Sequence, residues 1–298
     1  MNYRGDLNTE QQNKNSLNID KMEVEEILHA INNEDASIAD VVKSAIPQIE
    51  ETVNHAVSSV KNGGRVFYVG AGTSGRLGVL DASEIPPTFS ASIDNFIGII
   101  SGGDKALRRS IEGAEDSVID AIRDLEKFNL DNKDTLIGIS CSGAASYVIS
   151  ALDHAREREA STVYIVTNPK PHLMTKVDTI IYADTGPEII TGSTRMKAGT
   201  ATKMILNMIS TTVMVKLGKV YGNLMVDLMA VNHKLIDRGT RIIMQVSGLD
   251  YEDAKKKLME ADGSVKLALV MQCHECDAKE ARRKLKEANG YLNRVIEL

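Results

Sequence analysis

An apolar run that breaks into a loop rich in glycine and hydroxyl residues constrains this sequence most. Residues 66–69 are short, apolar and β-prone, which predicts a buried strand. Residues 70–75, GAGTSG, follow at once, and their glycines permit positive φ and a close approach of a ligand to the backbone. A strand, such a loop and a helix N-terminus form a natural anion site, to which Thr73 and Ser74 would add hydroxyl donors.

The spacing within this loop narrows the choice of anion. GAGTSG lacks the GxxxxGK[ST] pattern of nucleoside-triphosphate loops. It resembles the GxGxxG of dinucleotide-binding folds, but no acidic residue closes a second strand about twenty residues later. Gly72, Thr73 and Ser74 therefore favour a small phosphate monoester, and the alternative is a tight turn without a ligand. Apolar residues at helical spacing predict a short helix after the loop, which Pro86 and Pro87 end.

Four further apolar runs resemble the first and have helical patterns between them. They occupy residues 96–100, 136–139, 163–166 and 179–182. Strands that alternate with helices predict an α/β fold with a five-stranded parallel sheet flanked by helices. Ligands of such sheets bind beyond the C-terminal ends of the strands.

A second hydroxyl-rich loop, SCSGAAS at residues 140–146, follows the third predicted strand. Because parallel strands end at the same edge of a sheet, the two loops should converge, and this makes a phosphate site more credible. The candidate donors are Ser140, Ser142 and Ser146. The alternative is that Ser142 only caps the following helix.

A third hydroxyl segment, residues 191–194, precedes another helical pattern and adds Ser193 as a candidate for substrate binding. Three cations follow it, and they are either counter-charges for phosphate or part of a solvated face: Arg195, Lys197 and Lys203.

Composition excludes several classes of protein. A net charge of −6 without a basic stripe, together with the absence of Trp, argues against a nucleic-acid partner. No apolar run approaches the ~20 residues that span a bilayer, so no membrane partner is expected. Three cysteines and no apolar N-terminal segment predict a reduced, cytoplasmic protein. Cys273 and Cys276 have metal-like spacing but no second pair, and we expect an ordinary helix connection there and no metal site.

The pattern divides the chain into three parts. Residues 1–19 are a polar N-terminal arm, 20–240 are the α/β domain with its N-terminal helices, and 241–298 are a small helical domain. Within the second part, residues 188–238 are expected to be mostly helical. Three short charged helices are expected near 250–261, 264–272 and 277–288.

Four motifs resemble those of the N-acetylmuramic acid 6-phosphate etherases, a family built on the sugar-isomerase (SIS) fold. The similarity covers nearly the whole chain, and its specific pieces are GAGTSGRLGVLDASE at 70–84, IEGAEDS at 111–117, TGSTRMKAGTATK at 191–203 and NLMVD at 223–227. The resemblance implies a cytoplasmic lyase without a cofactor, which removes D-lactate from a sugar 6-phosphate in peptidoglycan recycling. It also implies a homodimer with sites at the subunit interface and a UBA-like C-terminal domain.

The resemblance assigns the catalytic roles to Glu84 and Glu115. The lactyl ether at C3 of the sugar is a poor leaving group, and opening of the ring gives an aldehyde that acidifies the proton at C2. One carboxylate then takes that proton, and a protonated carboxyl group donates to the departing oxygen. The resemblance implies that Glu84 is the acid and Glu115 the base.

Ser74 and Glu84 lie too far apart on one helix for the same sugar to reach both. Either the chain folds back at residues 85–87, or Glu84 serves the site of a neighbouring subunit.

The sequence departs from the family pattern at three places, and one of them is the N-terminal arm, where Gln11 and Gln12 replace the usual arginines. The second loop usually reads SGRTPYV, but here Ala144 and Ala145 replace the Arg and Thr. Met229 and Val231 replace the usual Lys and Thr after NLMVD. The altered loop favours an alternative function, that of a sugar-phosphate-sensing regulator related to the glucokinase regulator. A sugar-phosphate isomerase is a third possibility, because it shares the removal of the proton at C2.

Overall fold

A computed structural model describes residues 4–228, 230 and 232–296, so Met229 and Val231 lie outside the described residues. Its central element is one parallel sheet of five strands in the order β2-β1-β3-β4-β5. This confirms the predicted fold class. The strands are β1 (Val66–Gly70), β2 (Phe96–Ile100), β3 (Thr135–Ile139), β4 (Ser161–Val166) and β5 (Thr179–Tyr182).

The helices divide between two compact units of the chain. The first unit comprises the described residues up to Ser83 together with Asp94–Ser210, and the second comprises Glu84–Ile93 and the residues from Thr211 onward. The helices are α1 (Val24–Asp35), α2 (Ile38–Ser44), α3 (Ile46–Lys61), α4 (Gly72–Phe89), α5 (Lys105–Arg108), α6 (Val118–Glu126), α7 (Ser146–Glu157), α8 (Lys197–Lys216), α9 (His233–Ser247), α10 (Tyr251–Glu260), α11 (Val265–Cys273) and α12 (Ala278–Glu287).

Helices cover both faces of the sheet in the first unit. Leu136 of β3 packs in the apolar cluster that includes α6 and α7. Its neighbour Thr135 points to the opposite face, where its hydroxyl lies 2.8 Å from that of Ser59 in α3. Buried on both faces, the strands are continuous apolar runs, which explains why the sequence reveals them so clearly.

Glycines let helix α4 lie directly on the sheet. A Cβ at Gly98 of β2 would stand 2.5 Å from the Cα of Val79, and one at Gly78 would stand 2.9 Å from the Cβ of Tyr68. Neither strand nor helix therefore tolerates a side chain at this contact. Asp81, on the same helix, is buried and accepts hydrogen bonds from Asn207 and Ser210 of α8.

The prediction that Pro86 and Pro87 end this helix is wrong, because α4 continues through both residues to Phe89. Ile85 and Phe89 are buried, four positions apart on one face of the helix, and their burial holds the last turn in helical form. A reversal of the chain at residues 85–87 is thereby excluded.

The N-terminal arm lies against the segment that precedes α8. Its backbone forms short 3-10 turns, and Thr9 is fully buried. The carbonyl of Thr9 accepts the N–H of Gly192, Asn13 donates to the carbonyl of Pro187, and Ser16 donates to that of Ile189. The arm is thus joined by hydrogen bonds to residues 187–192.

The second unit is helical, with a core of its own formed largely by α9 to α12. The bounds of helices α10, α11 and α12 agree with the three predicted helices to within one residue. Cys273 is the last residue of α11, and Cys276 lies in the connection from α11 to α12. The prediction of helix across 188–238 is partly wrong, because α8 ends at Lys216 and α9 begins at His233. Gly218 and Gly222 adopt positive φ in between. Within the described residues, no helix is both long and apolar enough to cross a membrane.

Asp134, which directly precedes β3, forms a buried ion pair whose contribution to stability can be measured. Its carboxylate is 1% exposed and accepts three hydrogen bonds from Arg65, one from the backbone N–H and two from the guanidinium. We expect Arg65→Met to lower the free energy of unfolding by about 2–3 kcal/mol, because it leaves a buried carboxylate without its counter-ion. Urea titration of the two proteins measures the difference.

The matched control is Arg156→Met, which removes an exposed pair with Asp153 from the same unit. That change should stay within about 0.5 kcal/mol. Equal losses for the two variants would contradict the role given to the buried pair.

Candidate active site

The ends of three strands meet where the strand order reverses. Gly70, the last residue of β1, pairs with Ile139 of β3 on one side and with Ile100 of β2 on the other. The chain leaves β1 and β3 toward opposite sides of the sheet at this point, which opens a crevice in parallel α/β folds. The loops that follow β1 and β3 both lie at this crevice.

The first loop depends on a close contact between strand and helix. A Cβ at Gly75 would stand 2.5 Å from the carbonyl oxygen of Gly70, and one at Gly70 would stand 2.7 Å from the nitrogen of Gly75. Gly72 adopts a φ of +54°, with open space where its Cβ would be. The backbone at Gly72 is therefore free to receive a ligand beside the first turn of α4.

Ser74 lies in a buried row of polar side chains. It is 6% exposed, and its Oγ lies 3.5 Å from the Sγ of Cys141. That sulfur lies 3.8 Å from the hydroxyl of Thr202 on α8. Burial raises the pKa of the Cys141 thiol, so this residue remains a neutral neighbour of Ser74.

The second loop is folded by its own hydrogen bonds. Ser140 accepts the N–H of Ala145 through its hydroxyl, and a Cβ at Gly143 would stand 2.2 Å from that of Pro171. Helix α7 has Ala145 as its N-cap, with no side-chain hydrogen bond. The capping alternative for Ser142 is therefore wrong, since Ser142 precedes the cap by three residues and lines the crevice instead.

A serine that follows β2 fixes the turn that carries Glu115. The hydroxyl of Ser101, which is 3% exposed, donates to the carbonyl of Ala114 at 2.5 Å. Gly113 begins the turn with a φ of +73°. These contacts fix the backbone of Glu115 at the crevice. The side chain of Glu115 is exposed and therefore accessible.

The third segment reaches the crevice just before α8. Glu188 is fully buried and accepts the N–H groups of Lys197 and Ala198 at 2.9 and 3.0 Å, and burial raises its pKa. It therefore occupies the N-terminus of α8 as a cap. The side chain of Lys197 is buried in an ion pair with Glu34, so it is neither solvated nor a counter-charge for a ligand.

Two neighbouring cavities occupy the crevice, and both are lined by Ala71, Gly72 and Glu115. The first, of about 160 Å³, also has Thr73, Ser74, Ile139, Ser140, Cys141, Ser142, Ala145 and Thr194 in its lining. The second, of about 210 Å³, adds Arg76, Ser101, Ala106, Ser110, Ile111, Glu112, Gly113 and Ala114. The first is a pocket of hydroxyl and backbone groups, and the second contains an arginine.

The structure brings together most of the residues singled out in the sequence. Those that line the first cavity are Gly72, Thr73, Ser74, Glu115, Ser140 and Ser142.

Three other candidates lie elsewhere. Ser146 lines a separate cavity of about 340 Å³. Ser193 is absent from the described lining of the first cavity, which includes its neighbour Thr194 instead. Glu84 is exposed, belongs to the second unit, and is absent from the described residues that line either cavity.

Several residues that line the crevice were not site candidates in the sequence, among them Arg76, Ser101, Cys141 and Thr194. Ser101 follows a predicted strand directly, so the rule for strand ends points to it. Arg76 belongs to the motif at 70–84 and Thr194 to the hydroxyl segment 191–194, but only the fold shows which cavity each residue lines.

Comparison with known proteins agrees with this geometry. Residues 48–156 match the glucokinase regulatory protein N-terminal SIS domain, and residues 116–212 match the SIS domain. The fold and these matches thus define a SIS-domain protein.

Individual relatives narrow the class further. N-acetylmuramic acid 6-phosphate etherase 1 of Bacillus licheniformis is 48% identical over 90% of this chain and 88% of its own. N-acetylmuramic acid 6-phosphate etherase of Bacteroides thetaiotaomicron is 53% identical over 84% of this chain and 90% of its own. The chain belongs to the N-acetylmuramic acid 6-phosphate etherase family, which confirms the resemblance seen in its motifs.

The first cavity leads to a binding prediction. We expect Ser74→Ala to weaken the binding of a sugar 6-phosphate by roughly tenfold or more, because a charge-assisted hydrogen bond is lost. Isothermal titration with N-acetylglucosamine 6-phosphate measures the effect. Ser44→Ala, at an exposed serine of α2, is the control, and equal affinities of the two variants would remove Ser74 from the site.

Proposed function

We propose that the protein is a carbon–oxygen lyase that cleaves the D-lactyl ether of N-acetylmuramic acid 6-phosphate in peptidoglycan recycling. The products are N-acetylglucosamine 6-phosphate and D-lactate. The observation that carries the proposal is that an accessible carboxylate, Glu115, lines the hydroxyl-rich cavity and its neighbour together. The relatives that bear the etherase name at 48% and 53% identity support the same reaction.

The substrate phosphate binds in the first cavity in this proposal. Its ligands are the hydroxyls of Ser74, Ser140 and Ser142 and the backbone N–H groups at the start of α4. The described residues that line this cavity include no cation, so hydrogen bonds and the dipole of α4 carry the recognition. Ala145, where the family has Thr, adds no hydroxyl, and the uncapped N-terminus of α7 offers amide donors instead.

Glu115 acts as the general base on the open-chain sugar. The C1 aldehyde acidifies the proton at C2, and the carboxylate takes it. Loss of the C3 oxygen as D-lactate then gives a conjugated unsaturated aldehyde, and the leaving oxygen receives a proton from a general acid. Water adds at C3 to complete the reaction, so the protein supplies two carboxyl groups and a binding site for phosphate.

Glu84 is the general acid, and we assign it to the site of a neighbouring subunit. Ser74 and Glu84 are ten positions apart on an unbroken helix, which corresponds to roughly 15 Å along its axis. The C6 phosphate and the C3 oxygen of the sugar are only a few bonds of ~1.5 Å apart. A phosphate held at Ser74 therefore cannot present its ether to Glu84 of the same helix, and a homodimer with shared sites removes the conflict.

We place this activity in the cytoplasm. The three cysteines are free thiols, which fits a reducing compartment.

A sensor of sugar phosphates is the second candidate function. The match of residues 48–156 to the glucokinase regulatory protein domain, together with Ala144 and Ala145 in the second loop, favours it. Such a protein binds the sugar phosphate but releases no lactate. Incubation with N-acetylmuramic acid 6-phosphate and an enzymatic assay for D-lactate separates the two functions.

The two glutamates should have distinguishable defects. We expect Glu115→Gln and Glu84→Gln each to reduce D-lactate release by roughly 10²- to 10⁴-fold. In deuterated water, Glu115→Gln should also abolish exchange at C2, whereas Glu84→Gln should retain it, because removal of the proton precedes loss of lactate. Mass spectrometry of the recovered substrate measures the exchange.

Glu126→Gln, at an exposed position near the end of α6, is the control for these variants and should react as the unaltered protein does. Near-normal turnover in either glutamate variant would exclude that residue from the mechanism.

Shared sites lead to a complementation result. If each site combines Glu115 of one chain with Glu84 of the other, a dimer of one Glu115→Gln chain and one Glu84→Gln chain has one intact site. We expect such mixed dimers to recover up to half the activity of the unaltered dimer. Native mass spectrometry counts the mixed dimers, and no recovery in their presence would mean that Glu84 acts in its own subunit.

A further inference from the structure

The second cavity has a composition that binding of phosphate does not explain. It lies beside the first, shares Ala71, Gly72 and Glu115 with it, and at about 210 Å³ is the larger of the two. Its walls come from the turn after β1 and from the residues between β2 and α6. Arg76 is the only cation among the described residues that line the two cavities.

The guanidinium of Arg76 is held in place without a counter-ion. Its Nε donates to the carbonyl of Leu107 at 3.2 Å, which fixes the plane of the group, and the residue is partly buried. Glu112 and Glu115 line the same cavity. Within the described residues, however, the structure records no carboxylate within 4 Å of this guanidinium. A fixed, partly desolvated cation that lines a cavity favours an anionic ligand.

The substrate proposed above carries two anions, and this inference rests on that proposed function. One is the phosphate on C6, and the other is the carboxylate of the lactyl group on the C3 oxygen. We propose that Arg76 binds the lactyl carboxylate and that the second cavity is the subsite for the lactyl group. A guanidinium presents paired N–H donors in one plane, which matches the two oxygens of a carboxylate.

The arrangement places the reacting carbons beside the proposed base. C3 lies between the phosphate and the lactyl carboxylate along the substrate, and C2 is bonded directly to C3. Glu115 is common to the two cavities that would hold these anions. Anchoring both ends therefore brings C2 to Glu115, and a sugar without the lactyl group leaves the second anchor unused. Arg76 would then select the substrate over its own product.

The test compares two ligands that differ in the lactyl group alone. Titration calorimetry uses a Glu115→Gln background, in which the substrate is not consumed, with and without Arg76→Gln. We expect Arg76→Gln to weaken N-acetylmuramic acid 6-phosphate by roughly tenfold or more and to leave N-acetylglucosamine 6-phosphate within about twofold. Gln keeps an N–H donor for the carbonyl of Leu107.

Arg109→Gln is the matched control, because it removes an exposed charge of the same connection without lining either cavity. It should affect neither ligand. Equal losses of both ligands in Arg76→Gln would mean that Arg76 only supports the loop, and no loss of either would place the carboxylate elsewhere. Either result overturns the inference.

A second measurement keeps Arg76 unchanged and alters the ligand. The lactyl amide of N-acetylmuramic acid 6-phosphate, which is neutral at that end, should bind roughly tenfold or more weakly than the acid. Equal binding would overturn the inference even if Arg76→Gln fails to fold. Failure of the proposed function has a separate readout, because the unaltered protein would then bind the sugar phosphates but release no D-lactate.

Discussion

The contact between Gly70 and Gly75 is the constraint on which the site depends. A Cβ at Gly75 would stand 2.5 Å from the carbonyl oxygen of Gly70, which leaves no space for a side chain there. The first turn of α4 therefore lies directly on the end of β1. The same would-be Cβ stands 2.7 Å from a side-chain carbon of Ile100, which joins β2 to the contact. Since Gly70 also pairs with Ile139, the loop after β3 is positioned by the same contact.

The sequence reveals the sheet because buried parallel strands are apolar throughout and are bounded by glycine and polar loops. β2 and β5 have the predicted bounds, and β1 and β3 differ from prediction by one residue. The errors have tertiary causes. Burial of Ile85 and Phe89 overrides the two prolines near the end of α4. Arg76 directly follows the first loop, but only the fold shows that it lines the second cavity and not the first.

In the proposed mechanism, the residues that bind the substrate are rigid and the reacting group is accessible. Ser74, Ser140 and Cys141 are each less than 10% exposed, and their positions are set by packing and hydrogen bonds. Glu115 has an accessible side chain, but the turn beneath it is fixed by Ser101. A carboxylate on a fixed turn can reach a ligand atom without rearrangement of the backbone. Our proposal places the second carboxyl group, Glu84, in another subunit. Catalysis would then require the assembled dimer.

The hydrogen bonds between the N-terminal arm and residues 187–192 have a practical consequence for handling the protein. Residues 187–192 lead directly to Thr194 in the first cavity, and the arm supports them through Thr9, Asn13 and Ser16. Removal of the polar amino terminus to aid crystallisation would therefore remove the hydrogen bonds that hold residues 187–192 beside the first cavity. A proteolytic cut before residue 17 should therefore weaken ligand binding while the sheet remains folded.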